Sequence, residues 1–190
     1  ALGKERDDFI VMDAYLAAAT QTGVFKKEFP ERFYNCGIAE QNMVSIAAGV
    51  AATGKKVVCS SFAMFASGRA FEQIRNSIGY PHLNVIIGAT HGGISVGEDG
   101  ATHQANEDIA IMRTIPGMTV INPADVVEAE LAVRAAFEHD GPVYMRFGRL
   151  AVPVVFDENY KFEIGKGVEL KEGSDVTIIA TGLMVKEALE

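Results

Sequence analysis

The sequence predicts an α/β protein, a parallel sheet with helices on both faces. Short apolar runs such as Phe9-Ile10-Val11-Met12 and Val85-Ile86-Ile87 carry no alternating polar residues, the pattern of strands buried on both sides. These runs alternate with longer segments of helical composition, and Gly or Pro marks several of the junctions. A chain of 190 residues with 48% apolar content has material for a substantial core; chains of this size bury roughly 70% of their unfolded surface.

Each element follows in order. Phe9–Asp13 is an apolar run stopped by an acid and reads as the first strand. Residues 15–22 read as a loop or short helix, and Val24–Phe29, closed by Pro30, as a helical turn. Arg32–Asn35 is strand-like and leads into a small-residue helix from Glu40 to about Val50, ended by Gly54. Lys56–Ser61 is the next strand, with a helix expected over Phe65–Ser77. Asn84–Ala89 is the clearest buried strand; it opens into a Gly-rich loop, Thr90–His103, and a helix over Gln104–Arg113. Pro116-Gly117 turns the chain into the strand Met118–Ile121. Asp125 is placed to N-cap a helix over Val126–His139, and Gly141-Pro142 breaks it before the strand Val143–Phe147. Residues 153–173 read as a linker after a first domain of residues 1–152. Residues 174–190 read as the start of a second, truncated α/β domain, with a strand at Asp175–Gly182 and a helix from Leu183.

Composition narrows the function classes. The formal charge is −8 and the basic residues are scattered, which argues against a nucleic-acid face. Cys36 and Cys59 lack CxxC or His-rich spacing and read as reduced core residues of a cytoplasmic protein, not as a disulfide or a metal site. No apolar run is long enough to span a bilayer, so no membrane partner is expected. The N-terminus has no signal-peptide layout and no starting Met, so a preceding segment is expected.

Three features carry chemistry. Glu40 is a lone acid at the mouth of a Gly/Ala-rich helix, poorly solvated and suited to proton carriage. Phe62 and Phe65 follow a strand directly. The loop of residues 90–103 places His91, Glu98, Asp99 and His103 between glycines. In an open parallel sheet, ligands sit beyond the carboxyl ends of the strands, where Glu40, Phe62, His91 and Arg149 would share one rim. A long His- and Asp-bearing loop there favours function over idle connection.

The strings Gly37-Ile38-Ala39-Glu40-Gln41-Asn42-Met43, Ser61-Phe62-x-x-Phe65 and Gly97-Glu98-Asp99-Gly100-x-Thr102-His103-Gln104 together resemble the pyrimidine-binding domain of the transketolase family. The resemblance covers about Leu2–Pro153, and Ser174–Glu190 resembles the start of the family's C-terminal domain. It implies a thiamine diphosphate-binding fold, in the pyrimidine module, and the C-terminal subunit of a split transketolase or a fragment of a full-length one. Glu40 would then hydrogen-bond a ring nitrogen of thiamine diphosphate. Phe62 would stack on its pyrimidine with Phe65 behind. His91 and His103 would handle substrate hydroxyl protons, Asp99 would contact a substrate hydroxyl, and Arg149 would grip a sugar phosphate. The family's diphosphate-binding signature is absent from the sequence. The resemblance therefore implies a partner subunit or domain holding the diphosphate and a Mg2+ or Ca2+ ion, in a homodimeric assembly that moves a ketol unit between sugar phosphates.

The sequence also departs from the family pattern. Ala14-Tyr15-Leu16 stands where an Ala-Asp-Leu stretch is common, Ala18 and Ala19 replace a serine-like residue, and Gly68 stands where some members carry a further aromatic. Two alternatives follow. One is a related thiamine enzyme, either a 1-deoxyxylulose-5-phosphate synthase or a 2-oxo-acid dehydrogenase β subunit; His91 and the Gly97-Glu98-Asp99-Gly100 string argue against it. The other is a non-catalytic, cofactor-holding subunit.

Overall fold

The computed structural model describes residues 1–190. Six parallel strands form one sheet in the order β2-β1-β3-β4-β6-β5. These are β1 (Phe9–Asp13), β2 (Phe33–Asn35), β3 (Lys56–Phe62), β4 (Val85–Thr90), β5 (Thr119–Ile121) and β6 (Val143–Arg146). The register pairs Asp13 with Ser60, Phe62 with Thr90 and Ala89 with Arg146, so the strand ends that carry the candidate residues are level along one rim.

Helices cover both faces, as the sequence predicts. On one side Met43, Val44, Ala47 and Ala48 of α3 (Glu40–Ala51) meet Val57, Cys59, Val85 and Ile87. The small residues of α3 let it lie close to the sheet. On the other side Ala132, Ala136 and Phe137 of α6 (Val126–Glu138) pack on Phe9, Val11, Ile86 and Val143. Asp125 caps α6, its Oδ1 accepting from Glu128 N at 2.8 Å. Its Oδ2 accepts from the backbone N–H groups of Val155 and Phe156, tying the following segment down.

Several elements differ from expectation. A short helix, α1 (Leu2–Glu5), precedes β1, and α2 (Thr22–Glu28) starts two residues early. The helix expected over residues 65–77 is a π-helical turn at Met64–Arg69, a short α4 (Phe71–Gln73) and a second π-helical turn at Ile74–Gly79. The expected helix at Gln104–Arg113 shortens to α5 (Asp108–Met112), because Ala105 instead bridges to Gly92. The strand expected at Asp175–Gly182 does not form. It pairs with neither edge of the sheet, and Val176, Ile178 and Ile179 stand 76%, 67% and 90% exposed. Residues 151–183 hold no helix or strand, and α7 (Met184–Leu189) ends the chain. The segment before α7 touches the sheet at Asn122, whose carbonyl accepts from Gly182 N and whose Nδ2 donates to Thr181 Oγ1. No helix is long and apolar enough to cross a membrane.

Candidate functional site

Glu40 opens α3 and is 1% exposed. Gly37, with φ of +73°, makes the turn that brings it in from β2. Its Oε2 accepts from Arg69 Nη1 at 2.7 Å and its Oε1 from Ser61 Oγ at 3.2 Å. The sequence reading singled out the acid and missed Arg69. Arg69 ends the first π-helical turn, four residues after Phe65, and its guanidinium lies 4.6 Å from the centre of the Phe65 ring. That i, i+4 spacing places Arg69 against Phe65 but gives no local sign of its bond to Glu40. Its side chain is 46% exposed, so the ion pair joins a buried acid to a cation that reaches solvent.

The aromatic and histidine residues converge beside this pair. The rings of Phe62 and Phe65 lie parallel, 6.2 Å apart at 16°. His91 stacks on Phe62 at 4.0 Å, and His103 meets the edge of the Phe65 pair at 5.0 Å. Phe62 is buried under His91, whereas Phe65 is only half-buried, so Phe65 has the more open face. His91 adopts φ of +60°, uncommon for a non-glycine, and its Nδ1 lies 3.0 Å from the Thr90 hydroxyl. Burial lowers its pKa from the ordinary 6.5; the positive charge of Arg149 adds to this and Asp99 opposes it. Asp99 and Arg149 are therefore close enough to His91 to act on its charge. Asp99 is exposed, and His103 Nδ1 lies 2.9 Å from the Thr102 hydroxyl.

Arg149 is drawn to a partner not anticipated from the sequence. Its fork meets Glu98, with Nη2 to Oε1 at 2.6 Å and Nη1 to Oε2 at 2.9 Å. Nη1 also donates to the Val96 carbonyl. Gly97, at φ of +83°, leaves room for that guanidinium; a Cβ there would lie 2.5 Å from Nη1. The bidentate pair holds Glu98 below the usual carboxylate range.

Tyr15, the departure from the family pattern, stands 67% exposed at φ of +70° just past β1. The buried Asp13 cages the turn around it, accepting from Leu16 N at 2.5 Å, Thr20 Oγ1 at 2.7 Å and Thr22 Oγ1 at 2.9 Å. No group of three or more His, Cys, Asp or Glu side chains is arranged to hold a metal.

Residues 1–154 match the family model for the transketolase pyrimidine-binding domain. The chain belongs to the transketolase family. It is 57% identical over 190 residues to a Methanocaldococcus jannaschii protein named putative transketolase C-terminal section, covering 99% of this chain and 60% of that protein. It is 45% identical over 186 residues to a 6-deoxy-6-sulfo-D-fructose transketolase subunit of a Clostridium species, covering 97% of this chain and 58% of that protein. A solved structure described as a split gene transketolase, inactive beta4 tetramer, superposes with a TM-score of 0.89 at 53% identity, covering 99% of this chain and 61% of that one. The chain thus spans about three fifths of these relatives.

Proposed function

We propose that this transketolase-family chain supplies the pyrimidine side of a thiamine diphosphate site and takes part in ketol transfer between sugar phosphates. The observation that carries the reading is the buried carboxylate of Glu40 at the sheet rim, bonded to the Arg69 that lies over Phe65, with His91 and His103 on the same aromatic pair. These residues fit the cofactor. A carboxylate has about four acceptor sites, so Glu40 keeps capacity for a ring N–H beyond its bonds to Arg69 and Ser61. Phe65 is only half-buried and is backed by Phe62, so its ring could take an aminopyrimidine once the solvent-reaching Arg69 guanidinium moves off it.

When bound, thiamine diphosphate supplies the carbanion chemistry of two-carbon transfer. The chain's own residues hold and orient. Glu40 would accept a hydrogen bond from the ring and so favour one of its tautomers, while Phe62 and Phe65 would exclude water from one side. His91, kept neutral by its burial, is able to take a proton from a sugar hydroxyl, and His103 stands on the adjoining ring edge. Asp99 contacts a further hydroxyl. Arg149 receives the phosphate in exchange for Glu98, a displacement eased by the pair's exposure to solvent.

The names of the relatives support a division into subunits, with the diphosphate and its Mg2+ or Ca2+ held by a separate N-terminal subunit or domain. A cytoplasmic, dimeric assembly in sugar phosphate metabolism, and a division of the chain at residues 152 and 173, belong to the same reading. The test is titration of thiamine diphosphate and magnesium into the chain, alone and mixed with a diphosphate-binding partner, with ketol transfer read in the same samples. Tight binding and turnover only on mixing is the expected result. Tight binding without a partner would overturn the division of the site. Binding on mixing without turnover would favour a cofactor-holding subunit.

A further inference from the structure

The loop that carries both histidines is closed at its base by groups the proposed chemistry does not use. Gly92 N donates to the Phe147 carbonyl at 3.0 Å, and Gly93 N donates to the Ala105 carbonyl at 2.8 Å. Beneath this junction lies the guanidinium of Arg146. Its Nε donates to Asp108 Oδ2 at 2.9 Å and its Nη2 to the Ala105 carbonyl at 3.3 Å. Asp108 is 1% exposed and also accepts from the Tyr144 hydroxyl at 3.0 Å, a phenol whose pKa burial raises well above 10. The loop backbone rests directly on the cation. A Cβ on Gly92 would lie 2.6 Å from Arg146 Nε, and one on Gly93 would lie 3.0 Å from Nη2.

We infer that Arg146 and Asp108 are positioning residues: their ion pair clasps the two ends of the loop and sets the separation of His91 from His103. Resting on the function proposed above, this assigns a role to residues outside the cofactor and sugar contacts proposed there. Two observations and one general rule support placement over mere stability. Asp108 Oδ1 is buried without a hydrogen-bond partner, so the pair is not optimised for burial alone. Apolar pairs of similar volume replace buried ion pairs with little or no loss of stability, so burial does not require charge here. A guanidinium fork, in contrast, fixes direction, and this one points at both ends of the histidine loop. Gly92 follows His91 directly, and Ala105 lies two residues after His103, so a shift at the clasp reaches both rings.

The test uses the full chain with its partner subunit. The double variant Asp108→Leu/Arg146→Met removes the clasp without stranding a charge. Two readings follow, the His91 ring titration by NMR, assigned with His91→Gln, and the kcat of ketol transfer. The double variant keeps the net charge, so a change in the His91 titration reports a change in that ring's own surroundings, its burial against Phe62 and its distance from Asp99 and Arg149. The expected result is a cooperatively folded protein whose His91 titration moves up toward 6.5. Its kcat should fall at least about tenfold, the scale of a sub-ångström to ångström misplacement, with a smaller change in KM. Gly92→Ala, whose Cβ would press on the Arg146 guanidinium and force the cation or the loop to shift, should move both readings the same way. A folded double variant with unchanged His91 titration and kcat would overturn the inference. If that variant does not fold, Gly92→Ala decides on the same readings. If the unaltered protein shows no ketol transfer, the proposed function fails, while the titration still tests the clasp.

Discussion

Two parts of the rim each join a buried acid to an arginine, and they differ in where the cation ends. At the α3 end, Glu40 and Asp108 at the α5 end are equally hidden, each side chain 1% exposed. Arg69 is 46% exposed, however, while Arg146 is 16% exposed and pinned further by the Ala105 carbonyl and two glycines. An arginine with one face in water exchanges partners cheaply, because solvent takes up its charge as it leaves. One enclosed on all sides has no such exit. A buried acid and an arginine are thus paired in reach of solvent at one end and held as framework at the other.

The sharpest way to break this contrast is at the two acids. Glu40→Gln should leave the fold intact, since the Gln carbonyl oxygen still accepts from Arg69 while its amide N–H can donate to the Ser61 hydroxyl, yet cut ketol transfer by about 100-fold or more. Circular dichroism and a transfer assay check the two halves of that statement. Asp108→Ala should do the reverse first, stranding Arg146 and lowering stability by about 3–5 kcal/mol, measured by denaturant unfolding. Equal loss of stability from both would erase the distinction.

Smaller effects refine it. Arg69→Ala should cost about 1–2 kcal/mol of stability, since water replaces part of its bond to Glu40, without weakening thiamine diphosphate binding in the mixed complex. A large loss of cofactor affinity would mean that Arg69 stays in place as a cofactor contact. At the loop, Arg149→Ala should raise the His91 titration and Asp99→Asn should lower it further, following the signs of their charges. The folded-state value lies below the unfolded 6.5, so the unfolded chain binds the extra proton. This group's contribution to stability is therefore lost as pH falls below 6.5 and restored above it. The smallest change is expected from Glu98→Gln, which frees the Arg149 fork and should tighten phosphorylated-sugar binding by only about two- to three-fold, as exposed pairs allow. Weaker binding would show that Glu98 orients the arginine instead of competing for it.

Much of the site was legible because its residues sit in continuous strings. The turn at Gly37 delivers Glu40, β3 delivers Phe62, and the glycines around His91 mark a loop that cannot be regular structure. The partners were not legible. Arg69 lies 29 residues from Glu40 and Arg146 lies 38 from Asp108, and nothing local couples them. The helix over residues 65–77 also misled, because helical composition does not distinguish π-helical turns from α-helix. The strand expected at residues 175–182 has the right composition but joins no sheet edge, bonding only to Asn122 through Thr181 and Gly182.

The sequence by itself determined the parallel sheet, the order of its strands along the chain, and which acid, rings and histidines lie at strand ends. Apolar run length and glycine placement are local properties, and local sterics and burial suffice to read them. Only the tertiary structure decided which charge answers which. An ion pair depends on distances across the fold and on access of water to each partner. Both are properties of how α3, the π-helical turns, the histidine loop and β6 pack together at the rim.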